Sequence, residues 1–318
     1  MSELKVGVCG SGHMGRYHIN VLSLINNVEL AGIFDTDDTK QELAKQYSTT
    51  FYNDFDDFLK NLDAVVIATP TSTHFEIAIK AMEAGKHVLI EKPLTDTVEN
   101  AEKLIDMAAK KKLILQVGHI ERFNGAVTEL RNKIIKNPYL IEARRLSPRS
   151  NRIKDVGVIL DLMIHDIDIV LSLVSRGNVN KVSAFGSKVY SNHEDVAAAI
   201  IEFDNGCIAD IKASRVTDEK IRTLSVSQES SYVFLDYATQ DIQIHRQPSQ
   251  EYFINKEEIR YSQESLIERV FIHKDNPLKL ELEHYIDCIL DKTEPFINGE
   301  MDLLTLKVAM DIYSQMNI

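Results

Sequence analysis

Residues Leu4 to Cys9 form a short apolar strand pattern, and Gly10-Ser-Gly-His-Met-Gly15 follows directly, ahead of a helical stretch from Arg16 to Asn26. Strand, glycine-rich turn and helix in that order are the fingerprint of a dinucleotide-binding fold. Gly10 permits the turn, Gly12 lets the backbone approach a pyrophosphate, and Gly15 allows the helix to pack closely on the strand, with the helix N-terminus facing the phosphates. Val28 to Phe34 reads as the second strand, and Asp35 stands at its end, twenty residues after Gly15. A carboxylate there accepts hydrogen bonds from the ribose hydroxyls and repels a 2′-phosphate. Thr36-Asp37-Asp38 adds no arginine to welcome that phosphate, so NAD is expected over NADP.

The alternation continues. Asp63 to Ala68, His87 to Ile90 and Leu113 to Val117 are further strands, separated by helices from about Phe75 to Ala84 and Thr97 to Lys111. Apolar runs of this kind belong to a parallel sheet covered on both faces, so the fold class is α/β with an N-terminal doubly wound sheet. Loops at the carboxyl ends of such strands bind ligands. They are here Thr69-Pro-Thr-Ser-Thr-His74, Glu91-Lys92-Pro93 and Gly118-His119. Lys92, between a buried strand and a proline at the edge where a cofactor lies, stands out from the solvated lysines.

At 318 residues the chain exceeds one ordinary core. We expect a nucleotide-binding domain over 1–118 and a substrate-binding and oligomerisation domain over 119–318. The net charge of −12 argues against nucleic acid and anionic membranes as partners. No apolar run approaches a membrane span and no leader pattern opens the chain, so a cytoplasmic location is expected. Cys9, Cys207 and Cys288 are far apart, as expected of reduced structural thiols without a zinc site.

The second half turns strand-rich after helical patterns at Ala126 to Lys136 and Gly157 to Ser175. Strands are expected at Val179–Val189, Val196–Phe203, Cys207–Arg215, Thr223–Gln228, Ser231–Leu235 and Ile242–His245, with Asp204-Asn-Gly206 as a hairpin turn. They imply a mostly antiparallel open sheet with the Gly157 helix on one face. Ala198, Ile200 and Ile211 are assigned to the other face, which a second copy of the chain would cover. Asn255 to Asn276 reads as a mobile loop, and Pro277–Asp291 and Met301–Met316 as closing amphipathic helices.

The Gly157–Val174 helix has almost no polar face yet carries Asp161, His165, Asp166 and Asp168. Burying charge without partners is costly, which leaves a paired core or a reaction site. Asp161 and His165, four apart, share a face. A metal held by Asp161, His165 and Asp168, with His119 or His193, is the weaker alternative, and no metal is expected. Arg144, Arg145, Arg149, Arg152 and Lys154 fall within eleven residues just before this helix. Guanidinium forks suit phosphate, with Arg149 and Arg152 nearest the helix and Arg122 a further candidate.

Gly10-x-Gly12-x-x-Gly15-x-x-His18, Ala68-Thr-Pro-Thr-Ser-Thr-His74, Glu91-Lys92-Pro93 and Asp161-x-x-x-His165 together resemble the Gfo/Idh/MocA oxidoreductases, in order, over essentially the whole chain. Gly118 to Asn124, the Arg149 to Lys154 region and Asp161 to Asp168 resemble its branch acting on nucleotide sugars, in particular on UDP-N-acetylglucosamine. The resemblance implies NAD-dependent oxidation of a secondary hydroxyl, the 3-OH of an amino sugar, by a homodimer or homotetramer, with a pathway aminotransferase as a possible partner. Lys92, Asp161 and His165 become the catalytic candidates, with either Lys92 or His165 as base. Gly10, Gly12, His13, Met14, Gly15, Asp35, Thr69, Pro70, Thr71, His74, Glu91 and Lys92 become the cofactor set. His119, Arg122, Asn124, Arg149 and Arg152 become the substrate set. A dehydrogenase of free polyols and a non-catalytic NAD sensor are the rival functions.

Overall fold

The computed structural model describes residues 3–149, 156–174, 177–246, 250–255, 258–263, 266–293, 295–296 and 299–316. The chain divides into two compact units, Met1–Phe123 with Asp275–Met310, and Asn124–Lys274 with Asp311–Ile318. Residues 275–310, expected in the C-terminal domain, are thus part of the nucleotide unit, because their apolar stripe packs on its sheet.

In the first unit, β1 (Leu4–Cys9), α1 (His13–Leu22), β2 (Val28–Phe34), α2 (Gln41–Gln46), β3 (Phe51–Tyr52), α3 (Phe55–Lys60), β4 (Ala64–Ile67), α4 (Thr71–Glu83), β5 (His87–Glu91), α5 (Val98–Lys111) and β6 (Leu115–Gly118) alternate. The strands form one sheet in the order β3-β2-β1-β4-β5-β6, with every pair parallel. The order reverses between β1 and β4, and the crevice outside the carboxyl ends of strands at such a reversal is where these sheets bind ligands. Val65, Val66, Leu89 and Ile90 are wholly buried, as a sheet covered on both faces requires. The Thr97 hydroxyl caps α5 by accepting from the Asn100 N–H. The short edge strand β3 went unexpected, since two residues carry no period.

The second unit holds α6 (Gly125–Glu129), β7 (Leu140–Leu146), α7 (Ile164–Leu173), β8 (Val179–Ser187), β9 (Val196–Phe203), β10 (Ile208–Ser214), β11 (Ile221–Gln228), β12 (Ser231–Asp236), β13 (Asp241–Arg246), β14 (Gln250–Asn255), β15 (Glu258–Gln263) and β16 (Leu266–Val270). Eight of these strands order as β16-β13-β12-β11-β7-β10-β9-β8, and β14 pairs with β15 alone. The sheet is mostly antiparallel, but β7 runs parallel to β10 in its middle. Two corrections follow. The Asn255–Asn276 stretch contains strands rather than a loop, and Ile211 is buried on the inner face while Ile200 points outward, 47% exposed. Period-2 alternation places Ala209, Ile211 and Ala213 together on one side of β10, against the central helix.

That helix is not uniform. Residues Ile159–Met163 form a π-helical turn that passes directly into α7. A second π-helical turn, Leu130–Ile134, continues α6. The chain closes with α8 (Pro277–Ile289) in the first unit and α9 (Gly299–Gln315), most of whose length lies there too.

Candidate active site

The fingerprint loop is shaped by three glycines with different demands. Gly10 has φ +90°, a left-handed backbone that glycine adopts without strain, and its N–H donates to the Phe34 carbonyl at 2.8 Å. A Cβ on Gly15 would collide with the Gly10 carbonyl, so α1 starts against the turn with no room to spare. A Cβ on Gly12 would meet nothing within 4 Å. The packing of the protein therefore does not need a glycine at position 12, and the backbone there is open to an approaching ligand. Asp35 closes the other side, accepting from the Ser11 N–H at 2.7 Å, from the Ser11 hydroxyl, and from the Asp37 N–H at 3.0 Å. The Asp35 carboxylate and the glycine-rich loop are thereby fixed to each other. His13 is exposed and stands edge-on to Tyr17 at 4.9 Å, and Met14 is half-buried. These residues fit a dinucleotide: an open backbone at the helix N-terminus for phosphate, and a carboxylate for the ribose.

Pro70 leads into α4, whose first residue is Thr71, and the Thr73 hydroxyl bonds Thr69 Oγ1 and the Pro70 carbonyl, both at 2.8 Å. His74, expected among the cofactor contacts, is 1% exposed. Its Nε2 lies 2.9 Å from the Thr69 carbonyl and its Nδ1 2.9 Å from the Pro93 carbonyl. It is a strut between the two loops that edge the crevice, and burial holds its pKa below the usual histidine value. Glu91 is likewise turned inward, 8% exposed, accepting from His18 Nε2 at 2.7 Å. Burial pushes its carboxyl up, but the His18 hydrogen bond and the nearby charges of His18 and Lys92 outweigh that and leave it lowered. Lys92 follows, half-buried. His119 and Arg122, expected at the substrate, are each 2% exposed. His119 Nε2 lies 3.0 Å from Asp302 Oδ1, and Arg122 Nη1 lies 3.8 Å from Met301 Sδ, so both are engaged within the nucleotide unit.

In the second unit the Asn124 side chain caps α6, accepting from the Ala126 N–H at 3.0 Å and donating to the Tyr237 carbonyl at 3.3 Å. Asp161 lies in the π-helical turn and His165 at the start of α7, both half-buried, whereas Asp166 and Asp168 are buried. Asp166 takes a two-pronged salt bridge from Arg145, Nε to Oδ2 and Nη2 to Oδ1, each 2.9 Å. The basic cluster therefore splits: Arg145 serves the core, Arg144 points outward from β7, and Arg149 is exposed with its guanidinium 4.8 Å from the Tyr190 ring centre. Arg152 and Lys154 lie outside the described residues.

The start of the helix is held by residues the motif search passed over. Gly157 packs so tightly on Glu194 that a Cβ there would strike its carboxylate. Glu194 accepts from the Val158 N–H through its backbone carbonyl at 2.9 Å and from the Ile159 N–H through Oε1 at 3.1 Å. Arg215 bonds Asp195 Oδ1 at 2.8 Å and the Val156 carbonyl at 3.1 Å through both terminal nitrogens. Ser11, Glu194 and Arg215 carry no spacing signal, because their partners are distant in sequence.

Fold and cradle define a dinucleotide-binding protein whose nucleotide half is a Rossmann unit. The family described as "Oxidoreductase family, NAD-binding Rossmann fold" matches residues 4–119, and the "GFO/IDH/MocA C-terminal domain" matches residues 118–231. The UDP-N-acetylglucosamine 3-dehydrogenase of Acidithiobacillus ferrooxidans is 34% identical over 313 residues, 98% of this chain and 97% of that protein. A solved structure of that enzyme superposes with a TM-score of 0.89 at 33% identity, covering 99% of this chain and 98% of the other. The scyllo-inositol 2-dehydrogenase (NAD(+)) of Bacillus subtilis is 26% identical over 97% of this chain and 92% of its own. The chain belongs to the Gfo/Idh/MocA oxidoreductase family. It is an NAD-dependent dehydrogenase acting on CH–OH groups.

Proposed function

We propose that the chain oxidises the 3-hydroxyl of a nucleotide-linked amino sugar such as UDP-N-acetylglucosamine to the ketone. The observation that carries this reading is similarity to an enzyme of that name across nearly the full length of both chains. NAD supplies the hydride acceptor when bound. Gly10, Gly12 and Gly15 hold its phosphates and Asp35 its adenosine ribose, with Thr69, Pro70 and Thr71 at the crevice edge. His74 and Glu91 act one layer back, through the loops they tie. His165 takes the proton of the secondary alcohol, a role suited to an imidazole, whose ring nitrogen can accept a proton and release it again. Asp161, one turn before it, orients the substrate hydroxyl, and Lys92 donates to the reacting oxygen as negative charge develops there. Arg149, exposed and already stacked on Tyr190, is the candidate for the substrate phosphates, together with Arg152.

The product is a ketone next to an amino-sugar carbon, and an aminotransferase is the class of enzyme that would consume it. We assign the protein to the cytoplasm; among the described residues no helix is long and apolar enough to cross a membrane. The outer face of the large sheet bears Phe185, 78% exposed, and Ile200 and Ile208, 47% and 43% exposed, which supports a homodimer or homotetramer with this face covered by a second copy. Similarity to an inositol dehydrogenase keeps a free polyol as the second reading.

The test is NADH absorbance with a panel of nucleotide sugars and free polyols. Turnover of UDP-N-acetylglucosamine is expected, and activity confined to free polyols would refute the nucleotide-sugar assignment. His165→Asn is expected to lower kcat by roughly 100-fold or more with NAD affinity retained. Near-normal turnover would move the base to Lys92.

A further inference from the structure

Inside the first unit, one face of the sheet is roofed by α1 and α8, and the layer between is apolar: Val6, Val8, Ile19, Leu22, Val66, Leu89, Leu278, Leu282, Tyr285 and Ile286. Into it α8 inserts a carboxylic acid. Glu281 is 0% exposed, and neither carboxyl oxygen has a hydrogen-bond partner among the described residues. Its backbone carbonyl accepts from the Gln116 side chain at 3.3 Å, which seats this turn of α8 on β6. Gln116 lies opposite Leu89 in the parallel register and Gly118 opposite Glu91, so Gln116 and Glu91 project from the same face towards that helix. The charges acting on Glu281 are Glu91 from β5, hydrogen-bonded to His18, and Asp302 from α9, whose Oδ1 lies 3.0 Å from His119 Nε2.

We propose that Glu281 is a positioning residue that keeps its proton and, hydrogen-bonded through ordered water to the Glu91–His18 pair, holds the turn carrying Lys92. A carboxylate at this point would face two others across an apolar layer, and burial, then Glu91, then Asp302 push its pKa well above the usual value. Buried oxygens that find no protein partner are satisfied by ordered water, and His18 Nδ1 and Gln116 Oε1, buried and also without partners among the described residues, are the groups such water can bridge. Glu91 accepts only, so the donor in a bridge from Glu281 has to be the acid proton or the water it orients. Glu91 directly precedes Lys92, so its anchoring by His18 is the route by which Glu281 would act on the lysine. The kinetic part of the inference rests on the proposed role of Lys92.

Two arms test it on the full chain. Without substrate, the melting temperatures of wild type and Glu281→Gln are followed against pH. A group whose pKa is raised by folding contributes fully below its unfolded value, about 4.3, and loses that contribution as pH rises towards the folded value. The amide variant should therefore gain on wild type steadily above that pH, and a difference independent of pH overturns the protonated assignment. With substrate, Glu281→Gln should keep wild-type kcat but lose any alkaline decline due to this group, while Glu281→Leu loses roughly 10-fold in kcat with KM for NAD unchanged. Wild-type turnover in the leucine variant overturns the positioning role. A Lys92→Ala variant that turns over normally would refute the role of Lys92, and the melting arm would still decide the state of Glu281.

Discussion

Removing the carboxylate of Asp166 tests whether the helix bearing His165 is held by a buried ion pair. Asp166 is 0% and Arg145 2% exposed, and the pair is two-pronged with both contacts at 2.9 Å. The guanidinium also lies 5.1 Å from the centre of the Tyr237 ring. Asp166→Ala leaves a guanidinium buried without its carboxylate, a change that costs about 3–5 kcal/mol. A unit of this size shifts by about 2–4 °C per kcal/mol, so its melting transition should fall by roughly 6–20 °C. Circular dichroism during thermal unfolding reads the shift, with urea titration as an isothermal check. Arg145→Met/Asp166→Leu removes both charges at similar volume and should recover more than half of the loss, because the pair's own attraction is largely spent on desolvation. A loss under about 1 kcal/mol in the single variant would refute the reasoning, as would a double variant no better than the single one.

Four further variants separate neighbouring roles. Gly12→Ala should leave the melting temperature unchanged while raising the NAD dissociation constant at least ~10-fold, about 1.4 kcal/mol; Gly15→Ala should lower both stability and NAD affinity, since its Cβ meets the Gly10 carbonyl. Fluorescence titration and thermal melts distinguish the two. Asp35→Ala should narrow the preference for NAD over NADP, measured as the ratio of kcat/KM values, and should also loosen the loop, because Ser11 loses its acceptor. For Asp195, burial works upward, but the N–H groups of Tyr190, Val189 and Ser191 hold its carboxyl well below the usual range. The unfolded chain takes up that proton first, so the contribution is complete above about pH 3.9 and lost as pH falls below it; Asp195→Asn should flatten the acid limb of stability.

The nucleotide unit was the more legible half of the sequence. Its strands are apolar runs, its turn needs glycines at set intervals, and Asp35 falls at a fixed offset, so local pattern and tertiary role coincide. The second sheet was legible strand by strand except for β16, its edge, which falls in the stretch that reads as a loop, and β7, its central member. Leu140-Ile-Glu-Ala-Arg-Arg-Leu146 alternates as a strand should, but Arg145 occupies an inward position and makes the run read as a basic surface. Only Asp166, twenty-one residues later, reconciles an arginine with that face. A residue is assigned inside or outside by its own polarity until its partner is known, and the partner is a tertiary fact.

The same reasoning explains how the candidate site was sorted. Sequence pattern marks which residues gather near the chemistry, but not which of them face it, since a buried pair and an exposed ligand use the same side chains. His74 in the first turn of α4, Glu91 at the end of β5, and His119 and Arg122 just after β6 all lie near the carboxyl ends of strands, where ligand contacts are expected, and all four side chains are turned inward to tie one segment to another. Loops that carry function have to be rigid, and polar residues on short loops can make them so only by reaching back into the protein. Gly12, Asp35, Lys92, Asp161, His165 and Arg149, exposed or half-buried, are among the groups proposed above to meet cofactor and substrate. His74 and Glu91 hold the segments beside Lys92, so under the proposed role of that lysine substitutions at either should change turnover without touching a reacting atom.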